Sequence, residues 1–84
     1  MWALALDRLD EAERLARRGL EWCVRERCPV EEGRCHQLLA DVLRRTGRAD
    51  EARAHLDAAS TLFQRHGARL YLDQVLEQRD LLKA

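Results

Sequence analysis

The sequence predicts an all-α fold in which antiparallel helical hairpins stack side by side. Three observations carry this expectation. Ala, Leu, Glu and Arg dominate the 84 residues, 36% of which are charged, while Ile and Asn are absent; such a mixture consists of strong helix formers. Apolar residues recur three and four apart instead of alternating, which is the period of a helix. And the stretch "GRADEA", Gly47 through Ala52, has an echo forty residues earlier in "DRLDEA", Asp7 through Ala12.

The first helix is read from "LDEAERLARRGLEWCVRERC", where Leu9, Ala12, Ala16, Gly19 and Cys23 share one face. Trp2 and Leu6 extend that stripe backwards, so the helix either runs unbroken from near the N-terminus, which is the favoured expectation, or splits at Asp7. Asp7 stands where the later copy has Gly47, and it does not reverse the chain as a glycine would. A mid-helix glycine costs about 1 kcal/mol relative to Ala, so Gly19 is expected to answer a need for a small residue.

The second helix, in "EEGRCHQLLADVLRRTG", is expected to start at Pro29 and stop at Gly47. Its stripe contains Cys35, Leu38, Leu39, Val42, Leu43 and Thr46. The third, "ADEARAHLDAASTLFQRHG", places Ala52, Leu56, Ala59 and Phe63 together, with Asp50 as its N-cap and Gly67 as its close. Only "TGRAD" separates these two helices, so they must reverse tightly and pack antiparallel. The fourth helix, in "ARLYLDQVLEQRDLLKA", has Leu72, Val75, Leu76 and Leu82 in helical register.

Setting residue 7 opposite residue 47 matches Arg8 with Arg48, Asp10 with Asp50, Glu11 with Glu51, Ala12 with Ala52 and Arg25 with Arg65. A period of this size marks stacked helical pairs, in which one unit cannot bury its apolar face alone. The chain reads as one small domain: a partial unit over 1–28, a complete hairpin over 29–66 and a partial unit over 67–84. Because a domain of this size buries only a modest share of its surface, it is expected to self-associate or to dock on a larger neighbour. The apolar residues Trp2, Leu4, Leu6, Leu81 and Leu82 on the end helices are the candidates for that contact.

Fifteen basic residues balance fifteen acidic ones, which argues against a nucleic-acid footprint or an anionic-membrane surface. Arg34 to Arg69 is somewhat basic, with seven Arg against four acids, and reads as a salt-bridged solvated surface. "MWALAL" lacks the basic start and the length of a signal peptide. Three cysteines without framework spacing point to a reducing compartment, and a cytoplasmic location is expected.

The pattern resembles the tetratricopeptide repeat. The residues that carry the resemblance are His36, Leu39, Ala40 and Leu43 on the first helix of the pair, Gly47 at the turn, and Ala52, Leu56 and Ala59 on the second. In close packing, Ala40, Ala52 and Ala59 would occupy the places where helix backbones approach. Gln64 stands where the family has its Pro, and forty residues exceed the usual repeat of about thirty-four. The longer spacing is similar to divergent repeats in the C-terminal arrays of large bacterial ATP-dependent transcriptional activators. The resemblance implies a TPR-like right-handed superhelix, here of three to four helices, and a non-catalytic protein-protein interaction module. It implies a binding surface on the first helices, carrying Arg34, Gln37, Asp41 and Arg44 for a protein or peptide. The Asn and Lys set that grips a C-terminal carboxylate in some members is missing. An interaction region of a bacterial transcriptional regulator is a further alternative, although there is no basic recognition helix for DNA.

Cys23, Cys28, Cys35 and His36 are the one cluster of metal-ligand types, and they support an alternative reading as a metal- or thiol-based sensor. Their spacing is looser than the close pairs of zinc sites, and Cys23 and Cys35 also fit apolar stripes as small hydrophobes. His55 and His66, eleven apart, are too distant to share a ligand. Glu31 and Glu32 suit a helix start, where they complement the dipole. There is no Gly-rich phosphate loop, no Ser-based nucleophile and no H-E-x-x-H; neither enzymatic activity nor a cofactor is expected.

Overall fold

The computed structural model describes the main chain of residues 2–83 and the side chains of residues 8–82. Four helices follow one another: α1 (Trp2–Glu26), α2 (Pro29–Arg45), α3 (Ala49–Arg65) and α4 (Arg69–Lys83), with no strand among the described residues. The all-α expectation holds, and α1 runs unbroken past Asp7. Each helix packs on the next, most extensively α2 on α3, and α4 also touches α2. The result is a slab 40 × 32 × 19 Å, about two helices thick.

The three reversals are built alike. Arg27, Gly47 and Gly67, twenty residues apart, all adopt positive φ, at 57°, 80° and 70°. At each, the next residue's N–H reaches back to a carbonyl five residues earlier: Cys28 to Cys23 at 2.9 Å, Arg48 to Leu43 at 2.8 Å and Ala68 to Phe63 at 2.9 Å. A second bond accompanies each, from Arg27 to Val24, Gly47 to Arg44 and Gly67 to Gln64. This pair of bonds is the Schellman exit, which satisfies the last carbonyls of a helix. The next helix begins two residues after each left-handed residue, at Pro29, Ala49 and Arg69. Pro29 therefore occupies the first helical position, where its missing N–H costs nothing.

That economy overturns one expectation. Asp50 is not the N-cap of α3: the capping position is Arg48, which makes no side-chain capping bond. Because Arg48 already serves as the last residue of the preceding exit, no residue remains between turn and helix to cap it. Asp50 lies in the first turn with its carboxylate in solvent, 4.0 Å from Arg53, where it still complements the helix dipole. Thr46 likewise leaves the apolar stripe and ends α2, its hydroxyl donating to the carbonyls of Val42 and Leu43.

The core lies between α2, α3 and α4, where Ala40, Leu43, Ala52, Leu56, Ala59, Phe63 and Val75 are buried. Val30, Ala68, Tyr71, Leu72 and Leu82 close its edges. Ala40, Ala52 and Ala59 are thus buried in this core. Leu38 and Leu76 depart from expectation, exposed at 60% and 42%. A second, smaller seam joins α1 to α2, with Ala16 and Cys23 buried on the first and Leu39 and Val42 on the second. In that seam a β-carbon on Gly19 would lie 3.2 Å from the Cys35 Sγ, so the close approach of the sulfur accounts for the mid-helix glycine.

Candidate functional site

Two grooves flank α2. The first lies between α2 and α4, has a volume of about 340 Å³ and is lined by Arg34, Gln37 and Asp41 from α2 and Tyr71, Gln74 and Gln78 from α4. These residues converge because α4 returns alongside α2 after the α3 hairpin, and their spacing of three and four sets each row on one helical face. Gln37 Nε2 donates to Gln74 Oε1 at 3.3 Å across the groove. The Arg34 guanidinium lies 5.3 Å above the Tyr71 ring, a cation–π distance, and Tyr71 stacks in turn on buried Phe63. The Oε1 of Gln78 is buried and has no hydrogen-bond partner among the described residues.

Three of the four residues expected on the binding face, Arg34, Gln37 and Asp41, therefore share one groove. Arg44 sits beyond its end, paired to Asp41 at 3.0 Å, while Arg45 holds the other Asp41 oxygen at 3.2 Å. Tyr71, Gln74 and Gln78 escaped the sequence reading. Nothing local marks them, because their role depends on where α4 is placed.

The second groove, about 550 Å³, runs between α1 and α2 over Leu9, Ala12, Leu15, Leu38 and Val42, and it also reaches Cys35. Its rim carries Arg8, Asp41 and Arg45. Exposed Leu38 thus forms one wall of a cleft and is not a core residue.

The Cys/His cluster divides. Cys23 and Cys35 meet across the α1–α2 seam with sulfurs 4.0 Å apart. Cys28 lies at the turn, its Sγ 3.8 Å from the carbonyl of Glu26. His36 turns to the other side, toward α3, and its Nδ1 lies 2.8 Å from the Nδ1 of His55. The four residues do not converge, and among the described residues no group of three or more His, Cys, Asp and Glu side chains is placed to hold a metal ion. Burial pushes the Cys23 thiol up to about 11, with the neighbouring Cys35 adding to the effect; burial also raises Cys28.

The histidine pair joins two helices, α2 and α3, so the spacing of His55 to His66 along one helix does not reveal it. One imidazole must donate Nδ1–H while the other accepts, so the contact requires at least one neutral ring. Burial, and then the facing His55, lower His36 to about 4. Burial and then the charge of Arg17 lower His55, against a smaller opposing effect of Glu51.

On α1, Glu13 accepts from Arg17 at 3.1 Å and from Arg48 at the entrance of α3. The Arg48 hydrogen bond is the main cause of its lowered pKa. This bridge ties α1 to the α3 entrance across the end of α2.

Of the residues expected to mediate self-association, Leu81 is 66% exposed. Leu82 is not free: it is half-buried and packs on the core, because it shares a helical face with Val75. The side chains of Trp2, Leu4 and Leu6 lie outside the described residues. Leu70, 71% exposed, lies on α4 together with Leu81. No described helix is long and apolar enough to cross a membrane. Compared with models of known families, with curated proteins and with solved structures, the chain gives no match.

Proposed function

We propose that the protein is a non-catalytic interaction module of tetratricopeptide-repeat type whose α2–α4 groove takes an extended peptide segment of a partner protein. The observation that carries this reading is the polar lining of the groove, where Gln37 donates to Gln74 across it and Gln78 follows one turn along α4 with its Oε1 lacking a donor. The Gln78 Oε1 is closed off without a partner, at a cost in free energy, and a peptide N–H meets it once the side chain turns into the groove that Gln78 lines. Arg34, held over Tyr71, presents a planar cation to an acidic or carbonyl group of the same segment. The antiparallel α2–α3 hairpin and the small buried residues Ala40, Ala52 and Ala59 support the repeat assignment. Exposed Leu70 and Leu81 on α4 support self-association or docking to a larger protein as a second contact.

Selection from a random-peptide display library on the immobilised full chain tests the groove. Enriched peptides are expected to lose about tenfold or more in affinity, roughly 1.4 kcal/mol, on Arg34→Glu and on Gln78→Leu. Failure to enrich any peptide, or equal binding to both variants, would sink the reading.

A further inference from the structure

The Cys23–Cys35 contact carries an inference that is independent of what the groove binds. We propose that these two thiols are a modification site for thiol–disulfide exchange: they react with a low-molecular-weight disulfide of the glutathione class and close an intramolecular disulfide that fastens α1 to α2. Three observations support it. The sulfurs are already 4.0 Å apart on facing helices. Cys35 is half-buried and reached from the α1–α2 groove, whereas Cys23 is buried behind it. And Gly19 has no side chain in the way, a β-carbon there lying 3.2 Å from the Cys35 sulfur.

The unequal access sets the order of events. A small disulfide RSSR enters the groove, and the Cys35 thiolate attacks it, forming a mixed disulfide and releasing one RS⁻. Cys23, deprotonated, then attacks the Cys35 sulfur and expels the second RS⁻. Together the two protein thiols lose two protons and two electrons, and RSSR gains them to leave as two RSH. Only thiolates attack, so the high pKa of Cys23 makes the second step faster as pH rises. Cys28, engaged with the carbonyl of Glu26 at the turn, takes no part.

The cross-link matters because α1 has few other attachments. It packs on α2 alone and reaches α3 through the Glu13–Arg48 and Arg17–Glu51 pairs. Closing a short loop between residues 23 and 35 restrains the unfolded chain and ties together the two helices that wall the α1–α2 groove.

Each cysteine falls in its own tryptic peptide, Gly19–Arg25, Cys28–Arg34 and Cys35–Arg44, so the linkage can be read directly. The reduced full chain is incubated with oxidised glutathione at rising pH, alkylated, digested without reduction and examined by mass spectrometry. Gly19–Arg25 joined to Cys35–Arg44 is expected, formed faster at higher pH, formed equally in Cys28→Ser, and accompanied by a rise in Tm of several degrees. A link through Cys28, a mixed disulfide that persists on Cys35, or a covalent dimer in place of the internal link would overturn the proposal.

Discussion

Gly33 lies directly beneath the ring of Phe63: a β-carbon built on it would sit 2.5 Å from Cε1 and 2.8 Å from Cζ. Phe63 is fully buried at the end of α3, and its ring has no room to retreat without displacing Tyr71, which it stacks against. Gly33→Ala ordinarily favours a helix by about 1 kcal/mol. Here the overlap outweighs that gain, and overpacking of this kind costs about 1–3 kcal/mol. A lower denaturant midpoint for Gly33→Ala is expected; an unchanged or raised midpoint would refute the tight contact.

Arg27 occupies the left-handed conformation that Gly47 and Gly67 occupy at the other two turns. An L-residue with a side chain pays about 1–2 kcal/mol for that conformation, and glycine avoids it at the cost of a more flexible unfolded chain. Arg27→Gly should therefore stabilise by about 0.5–1 kcal/mol, a rise in Tm of roughly 2–8 °C for a domain of this size. Gly47→Ala, whose added β-carbon meets nothing within 4 Å, should destabilise through backbone strain alone. Calorimetry on the two variants reads both signs.

Acid should weaken the fold through the His36–His55 pair. The folded-state pKa of His36 is about 4, below the ordinary 6.5, so the unfolded chain binds the proton first and stability falls as pH drops from about 6.5 toward 4. The charged groups around the pair are Glu32, one turn from His36 on α2, and Arg17 on α1 and Glu51 on α3, which act on His55. A loss on the order of 2 kcal/mol across that window is expected. His36→Leu should flatten the window, measured as the difference between the urea midpoints of wild type and variant at each pH; parallel curves would remove the pair from the account.

The bridge from Glu13 to Arg48 predicts a salt-sensitive contribution. Glu13→Gln keeps a hydrogen-bonding group but loses the charge that both Arg17 and Arg48 address, so its Tm should fall by a few degrees at low ionic strength. In molar salt, where charges are screened within about 3 Å, most of that difference should close for the exposed Arg17 arm. Glu13 has a lowered pKa, so its contribution is present above about 4.5 and fades as the pH drops below it, beginning at the lower end of the histidine window.

The helix limits were legible because Pro29, Gly47 and Gly67 are chemically marked, and the core was legible because Leu39, Leu43, Leu56 and Phe63 keep one face. The left-handed Arg27 was not legible: an arginine carries no sign of the conformation that the following Pro29 and the Schellman bonds impose. Leu38 misled because a stripe gives an angle and not the width of the helix that will cover it. The histidine pair and the α4 half of the groove were hidden for a related reason. Which residues face across two helices depends on their axial offset, and periodicity along one helix holds no information about it. The α2 wall of the groove was readable as a row, while the opposite wall of Tyr71, Gln74 and Gln78 had to wait for the packing.

The even placing of Arg27, Gly47 and Gly67 at intervals of twenty residues fixes how such a chain tolerates gain or loss of length. Each interval carries one helix and one reversal, so adding a single interval would turn every downstream helix end for end, swapping which terminus points to which edge of the slab. Adding two would restore the heading. The segments "DRLDEA" and "GRADEA", forty residues apart, accordingly fall on α1 and at the entrance of α3, two helices with the same heading.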